Sequence, residues 1–178
     1  DMPTGSVDKV YTAADQLNPE DYSDEGYIYL TITAADQSDL TAIHFFVDST
    51  DADILIPEGV YPINKSYRPG TVLGSMGPND QNRLSTPFYA TITPQGYLKD
   101  AYMWVKGTVT IAKKEGKLYL EVNALNSYDV PVHIIYDATL TDVKNIHILH
   151  DKVSKYFQNG QLIIRKDGVE YNVQGEKL

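Results

Sequence analysis

The chain has no cysteine, only one tryptophan, and no apolar run that approaches the length of a membrane-crossing helix. Without thiols there are no disulfide staples, no thiol nucleophiles and no cysteine-ligated metals. A spanning helix needs roughly 18–20 consecutive apolar residues. Basic residues are scarce too: 15 Lys and Arg stand against 24 Asp and Glu, a net charge of −9. With no local Lys/Arg cluster to offset it, such a surface repels phosphate, so neither nucleic acid nor an anionic bilayer is expected as a partner. No charged-then-apolar leader is present; Asp1–Glu25 is a polar stretch that reads as the start of a mature chain. A link to a membrane is expected only through a lipid anchor removed upstream.

Catalytic apparatus is also sparse. Gly74-Ser75-Met76-Gly77 resembles a nucleophile elbow only superficially, and the glycines match no phosphate-binding loop. Of His44, His133, His147 and His150, only the last two are close. On a helix an i, i+3 pair can share a metal, but on a strand the two rings point to opposite faces, and solvated histidines are the simpler reading. Asp48, Asp51 and Asp53, with Glu58 downstream, lack the ligand order of a calcium loop. Glycoside hydrolysis needs two facing carboxylates. The clearest strand carboxylate, Glu121, falls on the outer parity. No catalytic residue, metal or cofactor is assigned, and a small glycan-acting hydrolase is kept only as an alternative.

What the chain has in quantity is period-2 alternation between turn residues. Ile28, Leu30 and Ile32 share one face of Tyr27–Thr33; Ile43, Phe45 and Val47 share one of Ala42–Val47. In Ala101–Ala112 the inner parity holds Met103, Val105, Val109 and Ile111, and in Lys117–Asn123 it holds Leu118, Leu120 and Val122. Lys114-Glu115-Gly116 joins these two into a hairpin. Val60–Asn64, Phe88–Thr93 and Val132–Thr139 are further strands, and Gln161–Arg165 with Val169–Val173 forms a C-terminal hairpin within 157–175. The expected fold is all-β: one domain, 1–178, an antiparallel β-sandwich of jelly-roll or Greek-key kind with about ten strands. A β-barrel is the alternative. At most one short helix is expected, near Asp151–Phe157. Lys65–Ser85 is the longest irregular stretch, long enough to be a functional loop.

The aromatic content stands out, with fourteen tyrosines. Tyr102 and Trp104 on one strand, Tyr119 on its hairpin partner, and Tyr27 and Tyr29 on another all take the parity opposite the aliphatic one. Such rings suit stacking on sugars or contact with a protein. The competing reading is a covered layer, beneath Asp1–Glu25 or the C-terminal hairpin, in which cross-strand aromatic pairs only stabilise the sheet. A buried Trp104 would remove it from any contact face.

The stretch Phe157-Gln-Asn-Gly160-Gln-Leu-Ile-Ile-Arg165-Lys-Asp-Gly168-Val-Glu-Tyr171-Asn172-Val-Gln-Gly175 resembles a recurring tail of secreted Bacteroides and Prevotella proteins, roughly NGQLxIxRDGxxYNxxG. Here Lys166 separates Arg165 from Asp167-Gly168. More loosely, Ile56-Pro57-Glu58-Gly59-Val60-Tyr61, Gly70-Thr71 and Gly107-Thr108-Val109-Thr110-Ile111 resemble a family of lipoprotein-like β-sandwiches of Bacteroides. The resemblance implies export, to the periplasm, the outer-membrane surface or the medium, and brings no catalytic residues. The expected function is a non-enzymatic, adhesion-like module at the cell surface that binds glycan or a protein partner. A structural surface-assembly subunit is a further alternative.

Overall fold

The computed structural model describes residues 6–22, 26–48, 56–76 and 84–141, and the backbone of 154–158, 161–166 and 169–171. The chain divides into two compact units, Asp1–Val143 and Lys144–Leu178. None of the described residues is helical.

The first unit holds β1 (Val7–Thr12), β2 (Gln16–Tyr22), β3 (Tyr27–Thr33), β4 (Asp39–Phe46), β5 (Gly59–Asn64), β6 (Thr71–Leu73), β7 (Phe88–Ile92), β8 (Leu98–Lys114), β9 (Lys117–Asn126) and β10 (Pro131–Asp137). They form one sheet in the order β1-β10-β9-β8-β5-β6-β4-β3-β2, and β7 joins β4 to β8. The path β8-β5-β6-β4-β7 therefore closes on itself as a five-stranded barrel, with the other strands as wings outside it. The fold is all-β as expected, and the barrel alternative describes its centre. Pairing is antiparallel except between β1 and β10 and between β5 and β6.

Three segments depart from the expectations. Lys65–Ser85 is not wholly irregular, because β6 lies within it, with Val72 fully buried, and completes the barrel. The polar stretch Asp1–Glu25 contains β1 and β2, which only Ala13–Asp15 separate although they lie at opposite ends of the sheet. A strand that turns a corner in this way passes from one layer to the other. Asp15 holds the corner: its carboxylate accepts from Thr12 N at 2.6 Å and from Ala35 N at 2.9 Å, tying it to the β3–β4 turn. Tyr11 and Lys9 of β1 then reach across to β4. Tyr11 donates to Asp39 Oδ1 at 2.7 Å, and Lys9 Nζ meets Oδ2 at 2.5 Å. Burial and the neighbouring Asp39 push the Tyr11 phenol well above its ordinary pKa, so it stays a donor.

The wings and barrel share one core, in which Tyr11, Leu30, Ile32, Ile43, Phe45, Val109, Leu120, Val122 and Ile134 are all but inaccessible. The expected inner parities of β3, β4 and β9 point into it, as does one parity of β10. In β8 the alternation reverses partway. Trp104 pairs with Asn126 but Lys106 pairs with Leu125, so Val105 is an extra residue, a β-bulge. Because side chains alternate with period two, one extra residue exchanges the faces. Before the bulge Trp104 points inward; after it Val109 and Ile111 do. Met103 belongs to a second, outer apolar cluster with Ala42, Phe88 and Ala90. Gly107, just past the bulge, has φ +129°, and a Cβ there would collide with Asn123 O and stand 2.7 Å from Ala124 Cα.

The second unit contains a three-stranded antiparallel sheet, β11 (Ser154–Gln158), β12 (Gln161–Lys166) and β13 (Val169–Tyr171). The expected hairpin is β12 with β13. Ser154–Phe157 is extended rather than helical, because Phe157 pairs with Leu162 and Tyr156 with Ile163 across a strand ladder.

Two glycines test the bulge. Gly107→Ala is expected to cost at least about 3 kcal/mol, since the colliding atoms are backbone. Gly116→Ala is expected to cost about 1 kcal/mol, the penalty for a left-handed conformation alone, because nothing lies near its Cβ position. Urea unfolding of the two variants beside the parent protein measures both.

Candidate functional site

The five aromatic residues picked out by alternation do not form one surface. Trp104 is fully buried in the central core, and its Nε1 has no hydrogen-bond partner among the described residues. Tyr102 packs against the same core, its ring 6.1 Å from that of Tyr89. The bulge at Val105 turned both inward, so neither belongs to a contact face. Tyr119 lies on the outer side of β9, where Lys114 Nζ sits 3.4 Å above its ring and its hydroxyl donates to Glu121 at 3.0 Å. Burial and then Glu121 push its pKa up to about 12. Only Tyr27 and Tyr29 lie together, on the outer side of β3.

Residues that alternation placed opposite the core complete their surroundings. Tyr27 pairs with Phe46 and Tyr29 with His44 across the β3–β4 ladder, and outward side chains at such positions meet. The Tyr27 and His44 ring centres are 4.6 Å apart; His44 and Phe46 stack at 5.0 Å with 28° between their planes. Tyr67 then meets Phe46 edge-to-face, with ring centres 5.5 Å apart. Tyr67 comes from the loop between β5 and β6. It adopts φ +56°, rare for a bulky side chain, and is 56% exposed. Gly70 N donates to Phe46 O at 2.9 Å and holds this loop against the end of β4. The result is a four-ring ladder, Tyr27–His44–Phe46–Tyr67, whose last ring faces solvent. Sequence reasoning missed Tyr67, although it did single out the loop that carries it.

On the other outer face, polar residues neutralise one another. Glu121 accepts from Tyr119 and from Asn123 Nδ2 at 3.1 Å, and His133 lies between Glu121 at 3.3 Å and Asp8 at 3.4 Å. Burial alone would raise the Glu121 pKa, but these bonds outweigh it and keep the carboxyl below its ordinary value. Asp8, His133 and Glu121 contact one another across β1, β10 and β9, a polar ladder rather than two acids facing across a cleft. Glu58 is engaged by Lys113 at 3.8 Å. Asp51, Asp53, His147 and His150 lie outside the described residues. Compared with protein-family models, curated proteins and solved structures, the chain matches none.

His44 gives the ladder a pH signature. Burial among rings holds its pKa below the ordinary value near 6.5, and its Nε2 has no hydrogen-bond partner among the described residues. Below that ordinary value the unfolded chain takes up a proton that folded His44 resists, so stability falls with pH from about 6.5 downward. The depressed carboxyls Glu121 and Asp137 begin to contribute only nearer pH 4, their ordinary range. His44→Phe keeps a ring in the ladder, and it is expected to flatten the stability profile between about pH 7 and pH 5 in thermal melts.

Proposed function

We propose that this chain is a non-enzymatic binding module, exported or displayed at a cell surface, that holds a glycan against the Tyr27–His44–Phe46–Tyr67 ladder. The ladder carries the reading: neighbouring strands and a braced loop present a continuous run of rings, with the outermost ring open to solvent. Flat rings with polar edges bring large contact area at low entropic cost, and they suit the apolar faces of sugar rings. The net charge of −9 favours a neutral polysaccharide over an acidic one. Export is supported by the likeness of Phe157–Gly175 to the tails of secreted Bacteroides proteins. A protein ligand would use the same rings but would need a wider contact than one loop tyrosine offers.

Affinity electrophoresis through gels containing neutral polysaccharides tests this. The parent protein is expected to be retarded by at least one of them. Tyr67→Ala is expected to weaken binding about tenfold or more, the equivalent of ~1.4 kcal/mol of lost stacking, with an unchanged unfolding midpoint. Tyr119→Ala is expected to leave retardation intact. A parent protein that migrates freely through every neutral polysaccharide rejects the reading.

A further inference from the structure

Away from the ladder, the β3–β4 turn and the β7–β8 turn enclose a cleft of about 560 Å³. That lies within the roughly 300–1,000 Å³ usual for small-ligand pockets. Thr33, Asp36, Gln37 and Ser38 line one side, with Ile92 and Thr93 prominent on the other. We infer that this cleft is a separate carbohydrate subsite that takes a single neutral hexose ring.

The turns that form it are braced at many points. Ile92 N donates to Ser38 O at 2.7 Å, and Asp39 pairs with Thr91, which ties the two hairpins side by side. Thr93 N donates to Tyr97 O at 2.8 Å, while Tyr97 N returns to Thr93 Oγ1 at 3.1 Å. Asp15 anchors Ala35 from the β1–β2 corner. A cleft with walls fixed in this way binds without first ordering its loops. Gln37, at φ +59°, is held in a conformation rare for its residue type.

The lining chemistry sets the ligand class. It offers one carboxylate, one primary amide and three hydroxyls, with Ile92 as an apolar patch and no Lys or Arg. Asp36 accepts from Ser38 N at 3.0 Å, and bonds from Ser38 keep its carboxyl below the ordinary range, so it is ionised at neutral pH. A carboxylate accepts from neighbouring ring hydroxyls, and an amide and hydroxyls both donate and accept. The isoleucine meets the C–H face of a sugar. An anionic ligand would meet the Asp36 charge with no cation in the lining to balance it. Tyr97, which follows the lining residue Gly96 in the chain, is 72% exposed.

This inference shares the glycan reading above, but its test separates the two. Backbone amide NMR of the whole chain is recorded during titration with mannose, galactose and N-acetylglucosamine, and separately with glucosamine as a cationic probe. At least one neutral sugar is expected to shift the amides of Asp36–Ser38 and Thr93–Gly96 saturably. Asp36→Ala is expected to weaken that response at least tenfold. Gln37→Gly removes the amide while suiting the positive φ, and is expected to do the same with the remaining spectrum unchanged. Tyr67→Ala is expected to leave it intact. Neutral sugars that shift no cleft amide, while polysaccharide still binds the ladder, overturn the subsite and spare the ladder. Silence at both removes both. A response to glucosamine alone overturns the sugar assignment in favour of an amine site.

Discussion

The architecture turns on one surplus residue in β8. Val105 has no partner opposite it on β9, and the faces of the strand exchange at that point. The first half of β8 pairs with β7 and sends Trp104 into the core; the second half pairs with β5 and β9 and sends Val109 and Ile111 inward. A single unbroken register would have left one of these halves with its large apolar side chains in water. Gly107 permits the arrangement, because no other residue leaves room for the close approach of the β9 backbone. Thus the bulge lets one long strand serve both the barrel and the outer wing. It also decides which aromatic rings remain for binding.

The second constraint lies at the corner between β1 and β2. Two strands adjacent in sequence take opposite edges of the sheet, so three residues must carry the chain from one layer to the other. Asp15 satisfies the backbone of that turn and of the neighbouring β3–β4 turn. The nearly buried Asp39, bonded by Tyr11 and Lys9, then links β1 to β4. A buried carboxylate is tolerable only with such partners. The same bonds that close the fold fix the turns around the cleft, so architecture and candidate subsite depend on shared residues.

How much of this was legible in the sequence followed from how local the signal was. Alternation revealed β3, β4, β9 and β10 and correctly assigned Ile28, Leu30, Ile32, Leu120 and Val122 to the core. The Glu115-Gly116 turn adopts positive φ at both residues, as a two-residue hairpin requires. β2 was hidden because Pro19 and four carboxamide or acid side chains look like a loop; the strand tolerates them at a sheet edge. β6 is three residues long and exists only because the barrel closes through it. The bulge left a smooth apolar pattern of Met103, Val105, Val109 and Ile111, and only Gly107 inside a strand hinted at it. Tyr27 and Tyr29 were legible as outward-facing, but Tyr67 and the cleft bring together residues far apart in the chain, which no local pattern encodes.

Trp104 offers a direct reading of the central claim, since it is the chain's single tryptophan and sits one residue before the bulge. Its fluorescence in the folded protein, recorded with acrylamide titration, reports which face it occupies. Inward placement predicts emission blue-shifted from free tryptophan, strong protection from acrylamide, and loss of both on unfolding in urea. Emission like that of the free amino acid, quenched freely in the folded state, would place Trp104 on the surface and contradict the reversal at Val105.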